Sequence, residues 1–170
     1  PLPIPDKSRQ SQQMSKDPID RTGLRREFWK RFPLEELPLN EWEALCDGCG
    51  RCCMLKLEDE DTGRIAYTNI ACRLFDDKTC NCGNYPLRKQ LVKTCVVVRP
   101  DNLDKILHWM PATCAYKLVN EGNPLFDWHP LISGTRDSVE EAGISMRNRT
   151  VPEFDVDEDD LLDHTIEGMN

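Results

Sequence analysis

The sequence predicts a small, irregular α+β domain that is stabilised by metal and contains short helices and few strands. All nine cysteines lie between residues 46 and 114, and four of them fall within the eight residues Cys46–Cys53 (CDGCGRCC). The predicted helices and strands are short, because proline, glycine and acidic residues interrupt the apolar patterns throughout the chain. A chain of 170 residues with 39% hydrophobic residues has room for one modest core.

Composition divides the chain into a tail, one domain and a second tail. Residues 1–21 are rich in proline, serine, glutamine and lysine, which predicts a disordered N-terminal tail. The cysteine-cluster metal-binding domain is expected over residues 22–152. Residues 137–170 carry two basic side chains against eleven acidic ones. The sequence therefore predicts an acidic C-terminal tail at residues 153–170, where a short helix and disorder are both compatible with the composition.

Two short helices are predicted before the cysteine run. An apolar stripe at helical spacing predicts the first over residues 24–32, which either docks onto the domain or binds a partner. The second helix is expected over residues 38–45, with Asn40 as its N-cap. It leads directly into Cys46, and Trp42 on this helix is expected to cover the metal site.

A β-hairpin is predicted after the run. Residues 54–57 and 64–67 are the strand candidates, and the polar residues 58–63 between them have the composition of a turn. The four acids of this turn lack the alternating ligands and the distant glutamate of a calcium loop. They are therefore interpreted as a solvated loop.

The segment from Asn69 to Cys95 holds four cysteines and little apolar material. A segment of this kind needs a staple to stay folded, and the staple that this sequence offers is a metal ion. The apolar patterns further on predict an extended piece at residues 96–98, helices over 100–109 and 113–120, a brief helix over 138–143 and a final strand at 144–146.

The spacing within the run is typical of a metal site. Two residues separate Cys46 from Cys49, so both sulfurs can reach one ion, and Gly50 permits a tight turn whose amides can point at sulfur. Cys52 repeats the spacing, and a C-x-x-C-x-x-C run with one remote cysteine also holds four-iron clusters in ferredoxin-like chains. Thiolate donors therefore predict zinc or iron, including an iron–sulfur cluster.

A second group of cysteines follows the run. Because adjacent residues point in different directions, Cys52 and Cys53 are expected to serve neighbouring ions. Eight thiols make about two four-coordinate metal ions or one polynuclear site. The predicted metal ligands are Cys46, Cys49, Cys52, Cys53, Cys72, Cys80, Cys82 and Cys95.

Other readings of single residues stay open. Cys114 lies alone on a predicted helix and is expected to be the unused ninth cysteine, although a ligand role is an alternative to a small buried hydrophobe. A redox dithiol is a further alternative for the run, without the strand–motif–helix context that supports it. His108 and His129 are each either a satisfied structural histidine or a site residue, and His164 is expected to do nothing specific.

The charge of such a cluster needs compensation. Eight thiolates around two zinc ions carry a net charge of about −4, so nearby cations or amide donors are required. Arg51 and Arg88 are the expected cations.

Composition also argues against several classes of protein. The net charge is −8 and no basic stripe is present, which argues against binding to nucleic acid. No run of about 18 apolar residues predicts a membrane span, and no charged start precedes an apolar segment as in a secretory signal. A reducing, cytoplasmic location is therefore expected, where clustered cysteines bind metal rather than form disulfides. No Ser–His–Asp set and no phosphate-binding loop is recognisable, so no catalytic residues are predicted.

Longer motifs resemble a known family. The run, YTNIACRL at residues 67–74, LHWMPATCAY at 107–116 and WHPLISG at 128–134 resemble the YcgN cysteine-cluster proteins of bacteria, within the wider YkgJ group. The match covers residues 26–152, although Lys89 replaces a proline of the wider group's signature and the last cysteine comes later, at Cys95. The resemblance implies chelation of zinc or iron in the bacterial cytoplasm and supplies no activity.

Together these features predict a non-catalytic protein that binds zinc or iron. Its ion is expected to be a folding element and an interaction platform. The alternatives are an iron–sulfur redox protein or enzyme accessory, and a reversible metal carrier or sensor.

Overall fold

The longest strand, β2 (Ile65–Ala71), lies at the centre of the larger sheet in a computed structural model that describes residues 18–169. It pairs antiparallel with β1 (Met54–Glu58), so that Leu57 lies opposite Ala66. Asp59 closes the turn, because its Oδ1 atom accepts the amide of Thr62 at 2.7 Å. The predicted hairpin is confirmed, and its second strand continues four residues beyond the predicted end.

Two further strands join β2 from the C-terminal segment. β5 (Val151–Pro152) pairs parallel to its end, and β6 (Thr165–Ile166) pairs antiparallel to its centre. Met169 is buried. The structure thus differs from the expectation of a disordered C-terminal end, because strand pairing and apolar contacts hold this acidic segment against the sheet.

A second sheet of two short strands lies within the cysteine-rich segment from Asn69 to Cys95. β3 (Phe75–Asp76) pairs antiparallel with β4 (Asn81–Cys82), and each strand has only two residues. Such a short ladder contributes few hydrogen bonds, so it orients the loops and does not by itself stabilise them.

The helices are all short and surround a separate apolar core. They are α1 (Phe28–Arg31), α2 (Leu39–Ala44), α3 (Arg88–Leu91), α4 (Leu103–Ile106), α5 (Ala115–Asn120), α6 (Pro130–Ser133) and α7 (Asp137–Glu141). Single 3-10 turns form at Leu34–Glu36, Arg51–Cys53, Leu107–Trp109 and Glu153–Asp155, and a longer one at Glu158–His164. Phe28, Leu45 and Leu103 are buried in the helical core, whereas Met54, Tyr67 and Met146 form a second core under the sheet.

Several predicted details differ from the structure. The first helix is shorter than predicted, since the chain makes turns before Phe28. Asn40 does not cap α2, because its side chain donates instead to the Gly23 carbonyl at 2.9 Å. The predicted final strand at 144–146 is wrong. The Met146 amide donates at 2.8 Å to the carbonyl of Cys49, which belongs to neither sheet.

The tails are only partly described. Residues 1–17, most of the predicted disordered tail, lie outside the described residues. The described end of the predicted tail, from residue 18 onward, packs on the domain. There the Ile19 amide donates to the Gly134 carbonyl at 3.0 Å. The domain boundaries at residues 22 and 152 stay predictions.

Candidate metal centre

The cysteine run forms the link between the helical core and the sheet. α2 ends just before Cys46, and the 3-10 turn Arg51–Cys53 leads into β1. Gly48 and Gly50 have positive φ angles of 72° and 78°, a conformation that costs L-residues energy. The Gly48 amide donates to the Cys46 sulfur at 3.4 Å. The expected turn with an amide directed at sulfur is therefore present, although the donor is Gly48.

Gly50 is also required for close packing. A Cβ atom at this position would lie 2.8 Å from the Phe75 ring and 2.9 Å from the Cys80 sulfur. The backbone of the run can approach β3 and the loop that follows it only because Gly50 has no side chain. Gly50 thus brings the run against the second group of cysteines.

The adjacent thiols of Cys52 and Cys53 interact directly. A hydrogen bond with the Cys53 thiol and, to a smaller extent, the charge of Lys56 lower the pKa of Cys52 to about 7. The same hydrogen bond, followed by burial, raises the pKa of Cys53. At the junction of the two groups of cysteines, Cys52 is therefore the more acidic thiol of the pair.

Three later cysteines lie on the Cys53 side of this junction. The Cys72 amide donates to the Cys53 carbonyl at 2.9 Å, at the open end of the hairpin. Cys82 pairs with Phe75, three residues beyond Cys72. Burial raises the pKa of Cys95, and the thiols of Cys72 and Cys82 raise it further. Cys72 thus lies beside Cys53, and Cys82 and Cys95 lie in the segment that follows.

Cys80 occupies a different environment. It is buried in the sheet core and has a φ angle of 57°. Its thiol donates to the Cys49 carbonyl at 3.4 Å and accepts a 3.5 Å hydrogen bond from the Ser145 hydroxyl. The sulfur of this predicted ligand is therefore engaged with backbone and hydroxyl groups.

Cys114 lies next to the run, which the sequence did not predict. It precedes α5, and the Tyr116 hydroxyl donates to the Trp42 carbonyl at 2.9 Å. Trp42 was expected to cover the metal site. It instead packs against Tyr116 in the helical core, with ring centroids 4.6 Å apart and the ring planes tilted by 38°. Burial raises the pKa of Cys114 to about 12, and the thiol of Cys52 is among the groups that raise it.

Lys56 places a further cation beside the run, and sequence reasoning missed it. Its Nζ atom donates to the carbonyl oxygens of Arg51, Cys52 and Met54 at 3.3, 3.1 and 2.9 Å. Burial lowers the pKa of Lys56, whereas the thiols of Cys52, Cys53, Cys49 and Cys114 oppose that effect. The sequence did contain a signal for this cation: a lysine within the predicted apolar strand that directly follows the cysteine run.

The two predicted cations have separate roles. Arg51 is buried, and its guanidinium donates to the Ile144 carbonyl at 3.0 Å and to the Thr113 hydroxyl at 3.3 Å. Arg88 lies over the Tyr85 ring, 3.6 Å from the centroid, and it lowers the otherwise raised pKa of Cys95. Arg88 thus acts on a thiol directly, whereas Arg51 joins the run to its surroundings.

The histidines are held by structural contacts. His129 is buried, its Nδ1 atom accepts the Leu131 amide at 3.1 Å as the N-cap of α6, and Nε2 therefore donates to the Leu45 carbonyl at 2.9 Å. Both ring nitrogens are hydrogen-bonded, so the structure favours a structural histidine over a site residue. His164 contacts the Asn69 side chain at 3.0 Å, and His108 is exposed on a 3-10 turn.

Asp47 places a buried carboxylate beside the thiols. Its Oδ1 atom accepts the Cys49 amide at 2.9 Å, while Oδ2 is buried without a hydrogen-bond partner among residues 18–169. Desolvation by the surrounding protein atoms raises the pKa of Cys46, and the Asp47 carboxylate raises it further, although part of the residue is exposed. The same two causes raise the pKa of Cys49. An unpaired buried carboxylate next to thiols favours a bound cation.

The donor chemistry fits zinc or iron. Soft thiols, an amide directed at sulfur and a partly buried ammonium group are the contacts that surround thiolate-bound metals. Within residues 18–169, no three or more Cys, His, Asp or Glu side chains already surround one metal-sized position. Binding would therefore draw the thiols inward. The eight-residue ligand set stays a prediction.

Fold and cysteine arrangement together define a small cysteine-cluster domain. Residues 45–115 match the CxxCxxCC family model, described as a "putative zinc- or iron-chelating domain". The matched range contains all nine cysteines.

The chain belongs to the UPF0260 family. It is 53% identical to a UPF0260 protein of Cellvibrio japonicus over 141 residues, which cover 83% of this chain and 95% of that one. It is 52% identical to a Rhodobacter capsulatus member over 148 residues (87% and 99%) and 50% identical to a Brucella canis member over 142 residues (82% and 92%). The predicted resemblance to a cysteine-cluster family is confirmed. Comparison with solved structures finds no match.

Within the described residues, no helix is long and apolar enough to cross a bilayer.

Proposed function

We propose that this protein binds zinc or iron through cysteine thiolates and that the ion acts as a folding element without catalysing a reaction. The observation that carries the proposal is the concentration of acidic groups in the run. The thiols of Cys46 and Cys49 share a loop with the Asp47 carboxylate, whose Oδ2 atom is buried and unpaired in the described chain. A divalent cation neutralises this charge at the point where it accumulates.

The segment that follows the hairpin supports a stabilising role for metal. Its strands β3 and β4 have two residues each, and Tyr85, Leu87 and Leu91 are exposed. Burial of apolar surface therefore contributes little to the stability of this segment. Metal–thiolate bonds would supply the stability that burial of apolar surface does not give this segment.

The residues of the chain have defined roles when the ion binds. The bound metal supplies positive charge and directional bonds to sulfur. The thiols release their protons, because only thiolates bind zinc or iron tightly. The Lys56 ammonium group and the Gly48 amide offset the negative charge of the resulting complex. A reducing compartment such as the cytoplasm, which we infer as the location, keeps the thiols available.

Two alternatives each rest on one observation. The C-x-x-C-x-x-C spacing of Cys46, Cys49 and Cys52 suits a four-iron cluster, which favours an iron–sulfur redox protein or enzyme accessory. Cys46 and Cys52 are exposed, which suits a carrier or sensor that exchanges its ion with a partner.

Replacement of Cys49 tests the proposal. Cys49→Ser should lose metal and lower the midpoint of urea unfolding together, because one ligand of a folding element is gone. A Cys49→Ser protein with full metal content and native stability would contradict the proposal.

Colour and chelation separate the alternatives. A colourless protein that contains zinc supports the structural ion and contradicts the redox alternative, whereas a brown, air-sensitive protein favours the iron–sulfur cluster. Unfolding upon chelation supports a structural ion, and an intact fold without metal favours the carrier.

A further inference from the structure

We infer that the thiols divide into two sets of four, in which Cys114 completes the run and Cys80 is a structural residue outside both sets. This inference rests on the proposed metal binding and assigns its ligands. The first set contains Cys46, Cys49, Cys52 and Cys114. The second set contains Cys53, Cys72, Cys82 and Cys95.

Long-range contacts place Cys114 beside the run. The residue before it, Thr113, accepts a hydrogen bond from Arg51, which immediately precedes Cys52. Two residues after Cys114, the Tyr116 hydroxyl bonds to the Trp42 carbonyl on α2, the helix that leads into Cys46. Cys114 is thus tied on one side to the run itself and on the other side to the helix that leads into it.

Three cysteines of a C-x-x-C-x-x-C run need a fourth ligand from elsewhere. Cys114 is the cysteine that the hydrogen bonds of Thr113 and Tyr116 hold at the run, and it supplies that ligand.

The second set is built across the hairpin and the small sheet. The backbone bond from Cys72 to Cys53 fixes these two residues side by side, and pairing of Cys82 with Phe75 brings β4 to the same end of the hairpin. The Lys89 ammonium group donates to the Cys95 carbonyl at 2.8 Å and so ties that cysteine to α3. Cys52 and Cys53 are consequently adjacent members of different sets.

Cys80 is unsuited to bind metal from its position. Its thiol is a hydrogen-bond donor to the Cys49 carbonyl oxygen, 3.4 Å away. A metal ligand must be a thiolate, and loss of the proton would put negative charge against that oxygen. The Gly50 backbone and the Phe75 ring enclose the sulfur further. Its role is to pack the run against the sheet core.

Matched serine variants of the full-length protein test the assignment. Zinc is measured per chain after anaerobic reconstitution with Zn²⁺, and cobalt substitution reports thiolate coordination through its sulfur-to-metal charge-transfer bands. Cys80→Ser should keep the wild-type zinc content and charge-transfer intensity. Cys114→Ser should lose about half of the zinc, because one of two four-thiol sites lacks a ligand.

The outcomes distinguish this assignment from metal binding itself. A wild-type protein that binds no zinc or iron refutes the proposed function, and the assignment with it. Wild-type binding that is halved in Cys80→Ser and retained in Cys114→Ser overturns the assignment alone. If Cys114→Ser does not fold, Cys114→His decides, because imidazole replaces one thiolate by nitrogen at the metal. A weaker cobalt charge-transfer band supports the assignment, and a band of wild-type intensity overturns it.

Discussion

The Arg51 guanidinium donates a 3.3 Å hydrogen bond to the Thr113 hydroxyl, across 62 positions of sequence. Arg51 lies inside the cysteine run, and Thr113 immediately precedes Cys114. Because Arg51 is buried and also bonds to the Ile144 carbonyl at 3.0 Å, it fixes two distant segments to the run. The cysteine cluster is thus built by long-range contacts as well as by close spacing in sequence.

Replacement of Gly50 by alanine should destabilise the protein strongly. Its φ angle of 78° costs an L-residue about 1–2 kcal/mol, and the added methyl group would overlap the Phe75 ring and the Cys80 sulfur. Overpacking adds about 1–3 kcal/mol. Urea unfolding of the metal-replete variant measures the change in the free energy of unfolding.

Gly122→Ala is the matched control. Gly122 has a φ angle of 74° but open space at the Cβ position, so only the backbone cost of about 1–2 kcal/mol is expected. Equal losses in the two variants would show that close packing at Gly50 is unimportant.

Removal of the Lys56 charge should weaken metal binding. Lys56→Met keeps the aliphatic stem but removes the ammonium group beside the Cys52 carbonyl, so the thiolates lose a neighbouring cation. An affinity loss of about tenfold is expected, typical of groups just outside a metal's ligands. Competition with a zinc chelator measures it. Lys105→Met, at an exposed position of α4, should bind like the wild type, and equal affinities of both variants would refute the role of Lys56.

The Glu41–Arg25 pair should make stability sensitive to acid. Glu41 is buried, and Arg25 donates to it from its backbone amide at 2.8 Å and from Nη2 at 2.7 Å. These bonds lower the pKa of Glu41, so its contribution is present above about pH 4.3 and is lost as the pH falls towards the lower folded value.

Glu41→Gln tests this pair. At neutral pH the variant should lose about 1.5–3 kcal/mol of stability, the typical contribution of hydrogen bonds to a charged group, and its unfolding should depend less on pH below 5. Glu27→Gln, which removes an exposed pair with Lys30, is the control and should behave like the wild type. A pH profile of Glu41→Gln that matched the wild type would contradict the prediction.

His129 should stabilise the fold without binding metal. His129→Asn keeps an N-cap acceptor for α6 but loses the bond to the Leu45 carbonyl, whereas His129→Ala loses both. We expect a loss of about 1–3 kcal/mol for asparagine and more for alanine. Metal content should be unchanged in both, and loss of metal from a folded variant would contradict this role.

The pH dependence of His129 has a defined sign. Burial lowers the pKa of His129, so the unfolded chain takes up a proton below about pH 6.5 while the folded protein does not. Stability should therefore decline as the pH falls below that value, and His129→Asn should lack this part of the decline in thermal unfolding.

The sequence was informative where patterns are local. Short strand candidates on either side of a polar turn predicted β1 and the start of β2, and the spacing of Cys46 and Cys49 with the following glycine predicted a tight turn with amides directed at sulfur. These features depend on neighbouring residues, so a single sequence reveals them.

The rest depends on tertiary contacts that spacing does not encode. The position of Cys80 follows from its φ angle of 57° and the absence of a side chain at Gly50. The position of Cys114 follows from the packing of Tyr116 on Trp42. β6 was missed because two residues in an acidic segment carry no periodic signal, and only pairing with Tyr67 and Thr68 defines them.

The metal content of the wild-type protein tests the central claim most directly. Elemental analysis of protein purified without oxygen should find zinc or iron retained through gel filtration, at about two ions per chain for four-thiol sites or as one polynuclear centre. A folded, stable protein that contains neither zinc nor iron and takes up neither on reconstitution would contradict the account.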